Sequence, residues 1–152
     1  MTISIIEYQD RHQPIFKALN AVWLEHYNLM EAHDLDIMNN PRELILKNGG
    51  VIYLAQHQNE IVGSAALIKE HDGVYELAKM TVAASHQKMG ISKLLLEKCL
   101  EKAKELHAKS IILFSNSQLK AALGLYEKYG FQHVVVEDSP FVTADVKMEL
   151  VL

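Results

Sequence analysis

HQKMGISKLL, residues 86–95, is a short polar run around one glycine, Gly90. The apolar stretch YELAKMTV (75–82) precedes it, and an amphipathic segment follows as far as Leu106. A strand that enters a helix through a polar turn builds an anion site. The first N–H groups of the helix lack internal partners, and the helix dipole favours negative charge there. A glycine in the turn lets the backbone approach a phosphate with no side chain in the way. Lys88 and Lys93 add positive charge. The run has neither the GK[ST] of a P-loop nor the repeated glycines of a dinucleotide fingerprint, and a plain loop before a core helix would look the same.

Working outward, 74–82 is the last of three strands. The other two are 51–57 and 61–69, and Gln58-Asn59 and His71-Asp72-Gly73 are the turns of an antiparallel meander. Residues 2–8 form a first strand. Residues 14–27 carry apolar side chains at helical spacing, and 28–39 are a polar, acidic connection. Asn40-Pro41 starts a further helix that ends near Asn48-Gly49-Gly50. After the opening run, 91–106 is a helix with Ile91, Leu94, Leu95, Cys99, Ala103 and Leu106 on one face. A buried strand at 110–115 and a helix at 118–129 follow, and 131–137 and 143–151 close the chain as a hairpin. The fold class is mixed α/β with an antiparallel N-terminal part.

A length of 152 residues suits one domain, 1–152, with no repeat or linker. Fifteen basic and nineteen acidic residues, a formal charge of −4, argue against a nucleic-acid binder. A single cysteine, Cys99, excludes an internal disulfide and reads as a buried thiol. MTISIIEYQD is not a signal peptide, and no stretch reaches the ~20 apolar residues that span a bilayer, so a cytoplasmic location without membrane attachment is expected. The eight histidines are scattered, without metal-ligand spacing, so no metal is expected.

Three motifs in order resemble one family. Gln87-Lys88-Met89-Gly90-Ile91-Ser92 is similar to the Q/R-x-x-G-x-G/A pyrophosphate loop of the Gcn5-related (GNAT) N-acetyltransferases. Asn116 follows about 30 residues on, and Tyr126 shortly precedes Gly130-Phe131, both at family spacing. ELAKMTV (76–82) resembles the strand before the loop. Ser92 departs from the usual Gly or Ala, where its hydroxymethyl crowds the helix but can donate to a phosphate. The resemblance covers nearly the whole chain. It implies a GNAT-like fold, a mostly antiparallel mixed sheet of about seven strands flanked by about four helices.

The resemblance also implies acetyl-CoA as donor and a primary amine, on a small molecule or a protein, as acceptor. An alkylamine with a pKa of about 10 is only about one part in a thousand neutral at pH 7, so a positioned base matters. Backbone groups of Gln87, Lys88, Met89, Gly90, Ile91 and Ser92 would hold the pyrophosphate, and those of Met80 and Val82 the pantetheine arm, helped by a bulge in that strand. Glu76 is the candidate base, expected on the same strand face as Val82 by period two. Partial burial would raise its pKa. Its alternative is a solvent-facing strand Glu. Tyr126 is the candidate acid for the CoA thiolate; its alternative is a core aromatic. Asn116 either binds cofactor or acceptor, or caps a helix. Trp23, Tyr27, Glu31, Asp34 and Asp36 offer ring faces and acidic groups to a cationic acceptor; their alternative is core aromatics beside a solvated loop. A catalytically silent acyl-CoA sensor and an unrelated nucleotide-binding domain are the competing readings. A homodimer is expected by analogy alone.

Overall fold

The computed structural model describes residues 2–152. Seven strands form one sheet in the order β1-β2-β3-β4-β5-β7-β6. β1 (Ile3–Glu7), β2 (Val51–His57), β3 (Glu60–His71) and β4 (Val74–Val82) are antiparallel neighbours. β4 then pairs in parallel with β5 (Ser110–Ser115), and β7 (Val146–Val151) lies antiparallel between β5 and β6 (Gln132–Val134).

α3 (Ile91–Glu105) connects β4 to β5, a crossover that parallel strands require. Its buried stripe is Ile91, Leu95, Leu96, Cys99 and Ala103. Leu94, expected on that face, is 40% exposed. At about 100° per residue the stripe centres between Leu95 and Leu96, about 150° round the helix from Leu94, which therefore faces outward. The stripe packs with α4 (Lys120–Lys128), through Tyr126, on the sheet face formed by Tyr53, Leu67, Tyr75, Leu77, Ile111 and Leu113. α1 (Gln13–His26) lies on the opposite face, where Phe16 meets Tyr8, Ile52, Leu54 and Ala66.

Two expectations in the 28–48 region fail. The acidic connection contains a helix, α2 (Ala32–Asn39), because Asp34 turns inward and accepts the Glu31 N–H at 2.9 Å, while Ile37 and Met38 are buried. The helix expected after Pro41 is a single π turn, Arg42–Leu46. The closing strands are also shorter than expected. The chain between β6 and β7 becomes a loop because its polar groups are bonded to other elements. Glu31 accepts from the N–H groups of Val142 and Thr143 (both 2.8 Å), and the Asn116 amide donates to the Thr143 carbonyl (2.9 Å).

Candidate active site

β4 and β5 are paired only at their starts, from Val74↔Ser110 to Glu76↔Ile112. Beyond Glu76 they part. The cause is visible in β4's other edge. Its register against β3 runs Ala66↔Ala78 and then Ser64↔Thr81, so one extra residue is accommodated between them. Lys79 takes this place with φ +52°, a left-handed conformation that is uncommon for a lysine. The bulge is held by a polar chain. The Ser64 hydroxyl donates to the Lys79 carbonyl (2.7 Å), the Asn20 amide donates to Ser64 Oγ (3.1 Å), and the Trp23 indole N–H donates to Asn20 Oδ1 (3.1 Å).

The bulge breaks the period of two. Glu76 sits opposite Ile68, on the α1 face, whereas Val82 sits opposite Gly63 and packs with the α3 cluster. Glu76 and Val82 therefore face opposite sides of the sheet, contrary to the sequence expectation. What brings Glu76 to the cleft is the parting of the strands.

The resulting wedge is a cavity of about 190 Å3. Glu76, Met80, Asn116 and Tyr126 line it, together with Trp23, Tyr27 and Asp34. A second groove of about 490 Å3 runs past Val82, Gln87, Lys88, Gly90, Ile91 and Ser92 to the start of α4. The two share Tyr27, Met80, Leu119 and Ala122, so they form one continuous channel. Met89 does not line it, and its side chain is half exposed.

In the groove, Gly90 precedes the first turn of α3 with φ +79°, and no atom lies within 4 Å of where a Cβ would stand. The Gln87 side chain donates back to the Val82 carbonyl at 3.3 Å, which ties the turn to β4. Lys88, Lys93 and Lys120 supply positive charge along the same groove. Lys120 lies on α4, remote in sequence from the glycine motif, so spacing alone could not connect it to the turn.

Glu76 is 3% exposed. Burial holds its carboxyl well above the usual carboxylate range, with a hydrogen bond and negative charge from Glu70 adding to the rise and Lys79 opposing it. The folded protein thus binds this proton more tightly than the unfolded chain. Stability is lost as pH rises from the ordinary carboxylate pKa of about 4.3 through the raised one. Glu76→Gln should therefore raise the melting temperature at neutral pH and change it little near pH 4. A melting temperature that is lower at both pH values would mean the carboxylate is stabilising.

Burial, helped by Cys99, likewise pushes the Tyr126 hydroxyl above its ordinary value, so it stays protonated and able to donate. Cys99 itself is pushed up to about 12 by burial, unsuitable for a nucleophile.

Asp34 on α2 and Glu31 at its N-cap are already engaged. Asp34 pairs with Lys79 Nζ, both side chains almost fully buried, and Lys79 Nζ lies 5.1 Å above the Phe141 ring. Glu31 does not line the cavity; it clasps the loop through Val142 and Thr143. Burial opposes ionisation of Glu31, but these hydrogen bonds and nearby His33 outweigh it and lower its pKa. Asp36 is exposed. The Asn116 carboxamide is used at both ends, donating to Thr143 and accepting the Gln118 N–H at 3.0 Å. The bond to Gln118 closes a local turn ahead of α4, whose N-cap, Leu119, carries no side-chain cap. Phe114 and Phe141, unmarked by any motif, complete the cavity wall.

Comparison with known proteins agrees with this architecture. The family model described as Acetyltransferase (GNAT) family matches residues 13–131. The chain is 30% identical over 115 residues to the uncharacterized N-acetyltransferase YvbK of Bacillus subtilis (strain 168), covering 74% of each chain. It is 38% identical over 95 residues to N-acetylaspartate synthetase of Xenopus tropicalis, covering 62% of this chain but only 35% of that protein. Among solved structures, a GNAT-family acetyltransferase from Staphylococcus aureus Mu50 superposes with a TM-score of 0.90 at 24% identity, covering 97% of this chain and 98% of that one. With the family model spanning most of its length, the chain belongs to the GNAT family of acetyltransferases.

Proposed function

We propose that this chain transfers an acetyl group from acetyl-CoA to a primary amine by direct attack on the thioester. The observation that carries the reading is the continuous channel. It leads from a lysine-flanked helix N-terminus, suited to a pyrophosphate, to a wedge lined by a buried carboxyl and a buried phenol. The parted edge of β4 offers free backbone groups to an extended amide arm, in the manner of an added strand. The amine nitrogen attacks the thioester carbonyl, and Glu76 takes the ammonium proton. The tetrahedral intermediate expels the CoA thiolate and Tyr126 supplies its proton, while the proton that the nitrogen sheds as the amide forms restores the Tyr126 hydroxyl.

The far end of the wedge is walled by Trp23, Leu24, Leu29, Phe114 and Phe141, and its one ion pair, Asp34–Lys79, is internally neutral. This supports a small amine with an apolar body as acceptor. An apolar side group that is buried contributes about 1.5–3 kcal/mol, or roughly tenfold or more in kcat/KM. In a CoA-release assay, phenylalkyl and branched alkyl amines should exceed polyamines and lysine peptides by that margin. The opposite ranking would overturn the acceptor class and leave the donor assignment standing.

The donor site is tested separately. Acetyl-CoA at a hundredfold excess over its Kd should stabilise the fold by about 2.7 kcal/mol, visible as a rise in melting temperature. Gly90→Asp should abolish that rise, because it places a negative charge at the phosphate position. Gly90→Ala has open space for its methyl and costs about 1 kcal/mol for the left-handed φ. It should keep most of the ligand-induced rise. Normal CoA binding by Gly90→Asp would place the phosphate site elsewhere.

A further inference from the structure

Ser85, His86 and His57 form a hydrogen-bonded chain beside the phosphate groove, and the transfer chemistry leaves all three unused. His86 ends the short turn Ala84–His86 and lines the groove together with Lys88, Gly90 and Lys93. Both of its ring nitrogens have partners. Nε2 lies 3.0 Å from Nδ1 of His57, at the end of β2, and Nδ1 lies 2.7 Å from the Ser85 hydroxyl. The two rings meet edge to face with centroids 5.1 Å apart. This arrangement suits a single positive charge. With both nitrogens protonated, His86 donates to His57 and to Ser85, and each N–H has an acceptor. A second charge, on His57, would set two N–H groups against each other. We infer that His86 binds the phosphates of CoA as an imidazolium, taking up a proton as they arrive, with His57 and Ser85 as positioning residues that hold the charged ring. This rests on the groove being the CoA phosphate site.

The surrounding charges give the direction. Lys88 in the turn, Lys93 on α3 and Lys120 on α4 line the groove with His86 and oppose a further cation while it is empty. The phosphates of CoA bring negative charge there and reverse that balance. Against His57, β1 presents Ile3 and β3 presents Glu60, which is exposed. The Glu60 carboxylate favours a proton on the pair in free and bound protein alike. The proton comes from solvent on binding and returns to it when CoA leaves, so it does not enter the balance of acetyl transfer. Because histidine changes charge between about pH 5 and 8, affinity for the donor should weaken as pH rises through that range.

The test needs CoA and no acceptor. At neutral pH the ring signals of His86 in a 1H–13C NMR spectrum should move toward the protonated position when CoA is added. Calorimetry in two buffers of different ionisation enthalpy should show protons taken up on binding. In His86→Gln the uptake should fall to what the phosphates of CoA contribute themselves. That variant should bind CoA roughly tenfold more weakly than wild type near pH 6, and the difference should shrink near pH 8.5, where no imidazole charge is left to lose. A merely structural role would weaken binding equally at both pH values. His57→Leu should lose part of the uptake, and an unchanged uptake there overturns the role of His57. Dephospho-CoA locates the contact: a retained His86 response assigns it to the diphosphate, a lost one to the 3′-phosphate. Tight CoA binding with the His86 signals unmoved overturns the inference and leaves the donor site standing. Failure of the folded protein to bind CoA overturns the donor reading and the inference with it.

Discussion

Tyr126→Phe should lower turnover by roughly 10²–10⁴-fold, the usual scale for a positioned acid. The variant removes one hydroxyl and keeps the ring, which packs on Phe131 with centroids 5.8 Å apart. Acetyl-CoA affinity should barely change, because the hydroxyl acts mainly as charge develops on sulfur. The alkaline limb of the rate profile, where Tyr126 sets it, should disappear. Its elevated pKa places that limb well beyond the neutral range, so the wild-type enzyme should lose little activity on mild alkalinisation. Turnover within about threefold of wild type, with an unchanged profile, would remove Tyr126 from the catalytic set and leave the cofactor groove untouched. A wild-type protein that binds acetyl-CoA and acetylates no amine would favour the silent sensor.

The second large effect is on stability. Asp34→Asn should destabilise the fold by about 3–5 kcal/mol, because it leaves the Lys79 ammonium buried without a counter-charge. For a chain of this size the melting temperature should fall by on the order of 10 °C. The same carboxylate also accepts the Glu31 N–H at the start of α2, so helix and loop loosen together. Replacing both partners by apolar residues, Asp34→Leu with Lys79→Met, should recover most of the loss. An Asp34→Asn protein of unchanged stability but with a raised acceptor KM would restore Asp34 to the role of amine anchor.

The meander and the β4–α3–β5 unit were legible because their signals are local. A continuous apolar run marks 51–55, Gly73 marks a turn, and Gly90 marks a helix start where the backbone must be left-handed. The pyrophosphate turn was legible for the same reason, since the chemistry asks for backbone and a missing side chain. α2 was not, because eight residues hold barely two turns of periodicity and its inward-facing residue is an aspartate. That choice makes sense only with Lys79 in place, and Lys79 is 45 positions away. The bulge itself was foreseen as useful but could not be located. A glycine would have betrayed it; a lysine at φ +52° does not. Side-chain orientations in β4 inferred across that point carry a one-residue error, which is why Glu76 and Val82 are expected on one face and stand on opposite ones.

The parting of β4 from β5 has a further consequence for local stability. Past Glu76 the sheet is interrupted in its middle. Its two halves are joined there by three residue pairs, by the helices that span them and by whatever occupies the gap. A ligand that bonds to β4 completes the ladder at its weakest seam. The amides of β4 beyond Glu76 that face the gap should exchange fast in the free protein and slow by orders of magnitude when the cleft is filled, while those bonded to β3, and the amides of β2 and β3, exchange alike in both states. The donor would then be a structural member of the sheet as well as a reactant, and each turnover would break and remake the middle of the fold.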